Sequence, residues 1–86
     1  MAQPRLRYTK HAEDMLVERG IDRKWVEATV TSPDFTETDP GQLNIIRAFR
    51  KIAERDNKTL RVAYTIDEDV FKIITAFFDR GRSSPR

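Results

Sequence analysis

Hydrophobic residues in the last third of the chain alternate with polar ones as in a β-hairpin. In residues 59–66 every second residue is apolar, which is typical of a strand with one buried face. Three acidic residues at 67–69 favour a tight turn, and residues 70–78 are apolar at odd and even positions, as in a strand buried on both faces. The first arm directs Leu60, Val62, Tyr64 and Ile66 to one side. Strict alternation in the second arm places Phe71, Ile73 and Phe77 on one face and Val70, Ile74, Ala76 and Phe78 on the other.

Two helices are predicted in the first third of the chain. Thr9 can cap a helix at residues 10–19, which carries an apolar stripe and ends at Gly20. Asp22 can cap a second helix at residues 23–31. Pro33 ends this helix, because the residue before a proline is driven out of the helical region.

Further strands are predicted between the helices and the hairpin. Residues 34–38 favour a short exposed edge strand, followed by a turn at 39–41. Residues 43–54 are predicted as a long strand that reaches Thr59 through a turn at 55–58. Residues 48–55 contain good helix formers, but the isoleucines before them and the turn residues after them favour the strand.

This order of elements predicts an α+β fold. We expect two N-terminal helices packed on one face of a three- to four-stranded antiparallel meander sheet, with the other face open. Residues 1–79 are expected to form a single domain. Residues 80–86 contain no apolar side chain and are expected to be a disordered basic tail.

Composition narrows the class of protein. The absence of cysteine excludes disulfides, thiolate metal sites and a cysteine nucleophile. No segment approaches the roughly 20 apolar residues of a membrane span, and the first residues lack the apolar centre of a secretory signal, so we expect a cytoplasmic protein without a membrane partner. Residues 42–66 hold six cations and two acids, whereas the helical half is near neutral, which favours a basic sheet surface.

Short motifs along the chain resemble the domain of unknown function family DUF4258. This family is similar in organisation to the RelE-like and BrnT-like toxins, small ribonucleases with two helices followed by three or four strands. RelE-like enzymes often carry a tyrosine near the end of the last strand, where this chain has Phe77 and Phe78. The resemblance covers residues 8–79, and its motifs are Tyr8-Thr9, His11-Ala12, Glu18-Arg19-Gly20-Ile21, Pro33, a basic strand at 47–51, Arg61-Val62-Ala63-Tyr64 and Ile74-Thr75-Ala76-Phe77.

Three residues are candidates for catalysis, and the resemblance implies that they share a site with the strand arginines. His11 is the single histidine, the residue type most suited to proton transfer near neutral pH, and it could accept the proton of an RNA 2′-hydroxyl. Arg19, about two helical turns later, and Arg61 could hold a phosphate in forked donor sets. The alternatives are a capping or core-edge role for His11 and an interaction of Arg19 with the negative end of its own helix.

Four further residues are candidates for RNA binding: Arg47, Arg50, Lys51 and Tyr64. The cations could neutralise phosphates, and the tyrosine could stack on a base. Alternation separates Arg47 and Lys51 from Arg50, so that at most two or three cations share a face. The alternatives are a solvated sheet face for the cations and core packing for Tyr64.

The leading hypothesis is a RelE-like toxin that binds RNA and acts as a metal-independent endoribonuclease. It would need no cofactor, because a single histidine without paired carboxylates makes no convincing metal site. The resemblance implies a small antitoxin protein as a partner that covers the site. The alternative is a non-catalytic protein-interaction or self-association module on the same fold. A lone edge strand would favour a homodimer in either case.

Overall fold

A computed structural model describes residues 5–79 as five strands and two helices. A single 3-10 turn, Ala53–Arg55, follows the third strand. Residues 1–4 lie outside the described residues, and so does the basic tail expected at 80–86. The strands are β1 (Arg5–Tyr8), β2 (Phe35–Thr38), β3 (Ile46–Ile52), β4 (Lys58–Asp67) and β5 (Val70–Asp79), and the helices are α1 (Lys10–Arg19) and α2 (Arg23–Thr31).

The sheet has five strands and is mixed, so the predicted three- to four-stranded antiparallel meander is wrong. The strand order is β1-β5-β4-β3-β2. Neighbours from β2 to β5 pair antiparallel, whereas β1 pairs parallel with β5, with Arg5 opposite Val70. β1 was not predicted, because its alternation covers only four residues and no turn links it to its distant partner.

The third strand is shorter than the predicted 43–54. It ends at Ile52, and the chain then turns through the 3-10 segment into Asp56 and Asn57, with φ angles of 57° and 58°. Aspartate and asparagine tolerate this left-handed region better than most residues. Leu43, expected inside the strand, lies in the preceding loop with 79% of its surface exposed.

The caps of both helices are confirmed. The Thr9 hydroxyl accepts a hydrogen bond from the Ala12 N–H at 3.0 Å, and the Asp22 carboxylate accepts one from the Lys24 N–H at 2.9 Å. Gly20 ends α1 in the left-handed conformation at φ 64°, which glycine adopts without steric cost. The helices have 10 and 9 residues, and none in the described chain is long and apolar enough to cross a membrane.

Helices and strands contribute side chains to one hydrophobic cluster. The contacts run from α1 to β5 and from α2 to both β3 and β4. We call the strand surface that enters this cluster the inner face. The buried residues of the cluster are Ala12, Leu16, Ile21, Val26, Val30, Ala48, Ile52, Leu60, Val62, Tyr64, Ile73 and Ala76.

A bulge in β5 changes which of its side chains enter the cluster. On β4, Ala63 pairs with Thr75 of β5, but the next residue, Tyr64, pairs with Ile73. Ile74 therefore has no partner on β4. One extra residue reverses the facing of every residue beyond it, because strand side chains alternate. Phe77 therefore lies on the face opposite Ile73, and the expectation that these two residues share a face is wrong.

Arg47 ties the edge strand β2 and the following loop to β3. Its Nη1 donates to Glu37 Oε1 at 3.3 Å, and its Nη2 donates to Asp39 Oδ2 at 2.8 Å. The hydrogen bond from Arg47, followed by that from the Gly41 N–H, holds the pKa of Asp39 below its ordinary value. The positive charge of Arg47 is therefore matched within the protein.

Leu60→Ala should lower the free energy of unfolding by about 2–5 kcal/mol, because it leaves a cavity in the cluster. Leu60 is fully buried, whereas Ile66, on the same strand and face, is 49% exposed. Ile66→Ala is thus the matched control and should cost less than half as much. Urea denaturation measures both losses, and equal losses would contradict the assigned core.

Asp39→Asn should be less stable than the parent at pH 6, and the difference should shrink as the pH falls below about 4. A carboxylate with a lowered pKa in the folded state contributes stability above its ordinary pKa, and this is lost as the pH falls through the folded value. Thermal unfolding between pH 6 and pH 3 measures the effect. Asp69→Asn, in the exposed turn after β4, is the control. A difference that does not change with pH would argue against the Arg47 interaction.

Candidate functional site

The sheet surface opposite the inner face carries most of the strand cations. Arg61 of β4 lies on this surface, opposite Phe49 of β3 on one side and Phe77 of β5 on the other. Six cations and three acids lie there, whereas residues 10–31 of the helical half hold four cations and five acids. We call this surface the basic face. Its charged residues are Arg5, Arg7, Arg47, Lys51, Arg61, Lys72, Glu37, Asp67 and Asp79.

Arg61 lies between two phenylalanine rings near the middle of the basic face. Its Cζ is 5.0 Å from the ring centre of Phe77 and 6.0 Å from that of Phe49. A guanidinium at this distance from a ring face is attracted by the ring's quadrupole. The side chain of Arg61 is 26% exposed, so part of it reaches solvent while the rings restrict its motion.

The guanidinium of Arg61 has unused hydrogen-bonding capacity. Its Nε is buried and has no hydrogen-bond partner in the described chain. Its Nη1 lies 3.7 Å from Asp79 Oδ2, which is an ion pair but too long for a hydrogen bond. Buried donors are nearly always bonded in folded proteins, so the unbonded Nε is an exception. The exposed part of the guanidinium, whose ion pair with Asp79 is long, is the part that a ligand could contact.

A second arginine approaches the same phenylalanine from the helical layer. Arg19, exposed in the last turn of α1, has its Cζ 5.7 Å from the ring centre of Phe77. Arg19 and Arg61 therefore converge on one ring from a helix and from the sheet. Two guanidinium groups within 6 Å of one ring centre create a positive potential that an anion would relieve.

Two stacked rings lie next to Arg61. Phe35 of β2 and Phe49 of β3 have ring centres 4.5 Å apart and planes inclined by 4°. Phe49 is fully buried although it lies outside the hydrophobic cluster. The stack gives the basic face a rigid apolar base beneath its charged side chains.

Two predicted RNA contacts lie on the inner face, away from Arg61. The Arg50 guanidinium donates to the Ser32 carbonyl oxygen. Tyr64 is 5% exposed and stacks on Phe71 with ring centres 5.1 Å apart, and burial raises the pKa of its hydroxyl. The structure therefore does not bring Arg50 and Tyr64 together with the other predicted contacts.

The two remaining predicted RNA contacts, Arg47 and Lys51, both lie on the basic face, but they differ in exposure and in their ion pairs. Arg47 is 19% exposed and held by Glu37 and Asp39. Lys51 is exposed, and its backbone N–H, rather than its side chain, is bonded to the Asp34 carboxylate at 2.8 Å. Of these two cations, Lys51 is the one that a ligand could reach without breaking an ion pair.

His11 lies at the opposite end of α1 from Arg19, one of the two arginines with which it was predicted to act. It is exposed in the first turn of α1, eight residues before Arg19, which corresponds to about 12 Å along the helix axis. No hydrogen bond or ion pair of its side chain occurs within residues 5–79. The same residues contain no group of three or more histidine, aspartate or glutamate side chains placed to hold a metal ion.

Sequence reasoning did not single out Phe77, Arg7 or Lys72, which all lie on the basic face. Phe77 was missed because the bulge, which no local signal marks, moves it out of the core. Arg7 was missed because β1 was not predicted. Lys72 was missed for the same reason, because its neighbour on β1 is Arg7. The alternation of Arg-Leu-Arg-Tyr at residues 5–8 is the signal that could have found both.

Comparison with known proteins identifies the family of the chain. A search of the curated proteins and a search of the solved structures found no match. The similarity to RelE-like and BrnT-like toxins therefore stays a prediction. The family model described as a domain of unknown function, DUF4258, matches residues 8–78. Because this match covers most of the 86-residue chain, the protein belongs to the DUF4258 family.

Proposed function

We propose that this protein binds RNA through the basic face, with Arg61 and Arg19 contacting phosphate groups beside the ring of Phe77. The observation that carries the proposal is the convergence of the two guanidinium groups on that ring. Arginine presents planar, forked donors that match the oxygens of a phosphate. A phosphate would also give the exposed part of the Arg61 guanidinium acceptors that its long contact with Asp79 does not supply.

The chemistry around the two arginines favours a nucleic acid over a simple anion. Phe77 is half-buried with two guanidinium groups over its ring, and guanidinium planes, like aromatic rings, can stack on the bases of a nucleic acid. The cations that share this face would attract an extended polyanion by long-range electrostatics. Aromatic rings interleaved with cations on a sheet serve single-stranded RNA recognition in other folds.

The contacts around Arg47 support a structural role for this residue within the proposed surface. Its guanidinium already donates to Glu37 and Asp39, so a phosphate would have to displace a carboxylate. Arg61 has a weaker competitor, because Asp79 lies 3.7 Å away. Of Arg47 and Arg61, the phosphate contact is therefore assigned to Arg61.

The geometry supports binding rather than cleavage. A proton acceptor must come within roughly 2.6–3.2 Å of the 2′-hydroxyl it activates, directly or through one water. His11, the single histidine of the chain, lies about 12 Å along α1 from Arg19, so it is not placed to act beside a phosphate that Arg19 holds. Toxin activity, the antitoxin partner, the homodimer and the alternative of a protein-interaction module stay predictions.

Arg61→Gln and Arg19→Gln should each weaken binding of a 12-nucleotide single-stranded RNA about five- to tenfold at 50 mM salt. Each removes one charge-assisted phosphate contact, and tenfold corresponds to about 1.4 kcal/mol. The slope of log affinity against log salt should fall by about 0.7 for each variant. Fluorescence anisotropy of labelled RNA measures both quantities.

Lys24→Gln is the control for these variants, because it removes the same charge from an exposed position on α2. It should bind RNA like the parent. If the parent does not bind at low salt, or if Lys24→Gln is as weak as Arg61→Gln, the proposed site is wrong. Equal thermal stability of all variants must be verified first.

The same RNA should remain intact after incubation with the protein in EDTA. Gel analysis of labelled RNA measures this, with His11→Ala as the comparison. Cleavage by the parent that is lost in His11→Ala would replace the binding proposal with the endoribonuclease predicted from the sequence. Cleavage that persists in His11→Ala would point to a contaminating nuclease or to a different catalytic group.

A further inference from the structure

Two cations stand directly opposite each other on neighbouring strands of the basic face. Arg7 of β1 pairs with Lys72 of β5, and both side chains are exposed. Like charges in this position repel, which destabilises a sheet. Within residues 5–79 neither side chain forms an ion pair with a carboxylate, in contrast to Arg47 and Arg61.

The row of side chains that contains this pair offers donors and no acid. Thr65 of β4 lies opposite Lys72 on its other side, so Arg7, Lys72 and Thr65 cross three adjacent strands. Neighbouring strands are about 4.8 Å apart, which places the two charges and the hydroxyl within reach of one phosphate group. The repulsion between Arg7 and Lys72 would be relieved by the same ligand.

Small side chains lie between this row and Arg61 along β4. Along β4, Thr65 lies four residues from Arg61, a distance of about 13 Å. The side chains between them include Ala63 and, opposite it on β5, Thr75, which are both small. A ligand that contacts both Arg61 and the Arg7–Lys72 pair must therefore carry phosphates more than about 10 Å apart. A mononucleotide does not carry phosphates that far apart.

We propose that Arg7 and Lys72 form a second phosphate-binding site, and that the ligand is a single strand of RNA that passes over Ala63 and Thr75 between this site and Arg61. This inference rests on the proposed function, because the same strand occupies both sites. A single strand is favoured over a duplex because its unpaired bases are free to stack on the guanidinium groups that lie over Phe77. β1 thus contributes to binding through its register beside β5.

The test compares the Arg7→Gln/Lys72→Gln double variant with the Lys10→Gln/Lys24→Gln double variant, which removes the same charge from exposed positions on the helices. Probes are a 12-nucleotide single-stranded RNA, a trinucleotide and a 12-base-pair RNA duplex. The parent should bind the 12-mer tighter than either other probe. Arg7→Gln/Lys72→Gln should weaken 12-mer binding at least tenfold, reduce the salt slope by about 1.4, and leave trinucleotide binding unchanged.

The melting temperature of the double variant shows whether the pair stabilises the sheet instead of binding a ligand. Removal of two repelling charges should leave the melting temperature of Arg7→Gln/Lys72→Gln equal to or above that of the parent, and a clear decrease would contradict the unpaired state of these side chains. If Arg61→Gln weakens binding but Arg7→Gln/Lys72→Gln matches its control, the second site is wrong and the proposed function stands. If the parent binds no RNA, both fail. Tighter binding of the duplex would overturn the single-stranded ligand.

Discussion

Pairing along both edges of β5 determines how this protein divides its side chains between core and surface. β4 lies on one side of β5 and β1 on the other, and Ile74 is the one residue of β5 that has no partner on β4. Ile73, before this residue, and Ala76, after it, both enter the hydrophobic cluster. Phe77 therefore faces away from the cluster and lies beside Arg61. Without the extra residue, the ring of Phe77 would enter the core and Arg61 would lose one of the two rings that hold it.

The parts of the fold that local chemistry specifies could be predicted from the sequence. Thr9, Gly20 and Asp22 mark helix ends through their own hydrogen bonds or backbone freedom, and they lie where they were expected. The bulge could not be predicted, because residues 70–78 are apolar at nearly every position. Their pattern does not indicate which side chains face the core. The alternation at residues 5–8 is compatible with a strand, but its parallel pairing with β5 could not be predicted because the partner is far away in the chain. Arg61 and Arg19 could thus be proposed from sequence, whereas their convergence on a common ring could not.

The number of arginines in this chain is a poor guide to the cations that a ligand can reach. Arg50 donates to a backbone carbonyl, and Arg47 is held by two carboxylates. Arg55 lies with its Cζ 4.9 Å from the ring centre of Phe78 and donates to the Gly20 carbonyl at 3.2 Å, which fixes it on the helical side of the sheet. Their contacts stabilise the fold, and a count of basic residues does not separate them from the cations of an interface.

The attachment of α1 to β5 has a consequence for how the chain folds. Thr9 caps α1, and its hydroxyl also lies 3.5 Å from the carbonyl oxygen of Ile74, 65 residues further along the chain. Contacts of such long sequence separation slow folding, because a large loop must close before they form. During synthesis α1 is made early but has no docking surface until β5 has left the ribosome. Ala12 and Leu16, which are buried in the folded protein, can be covered by β5 only from that point on.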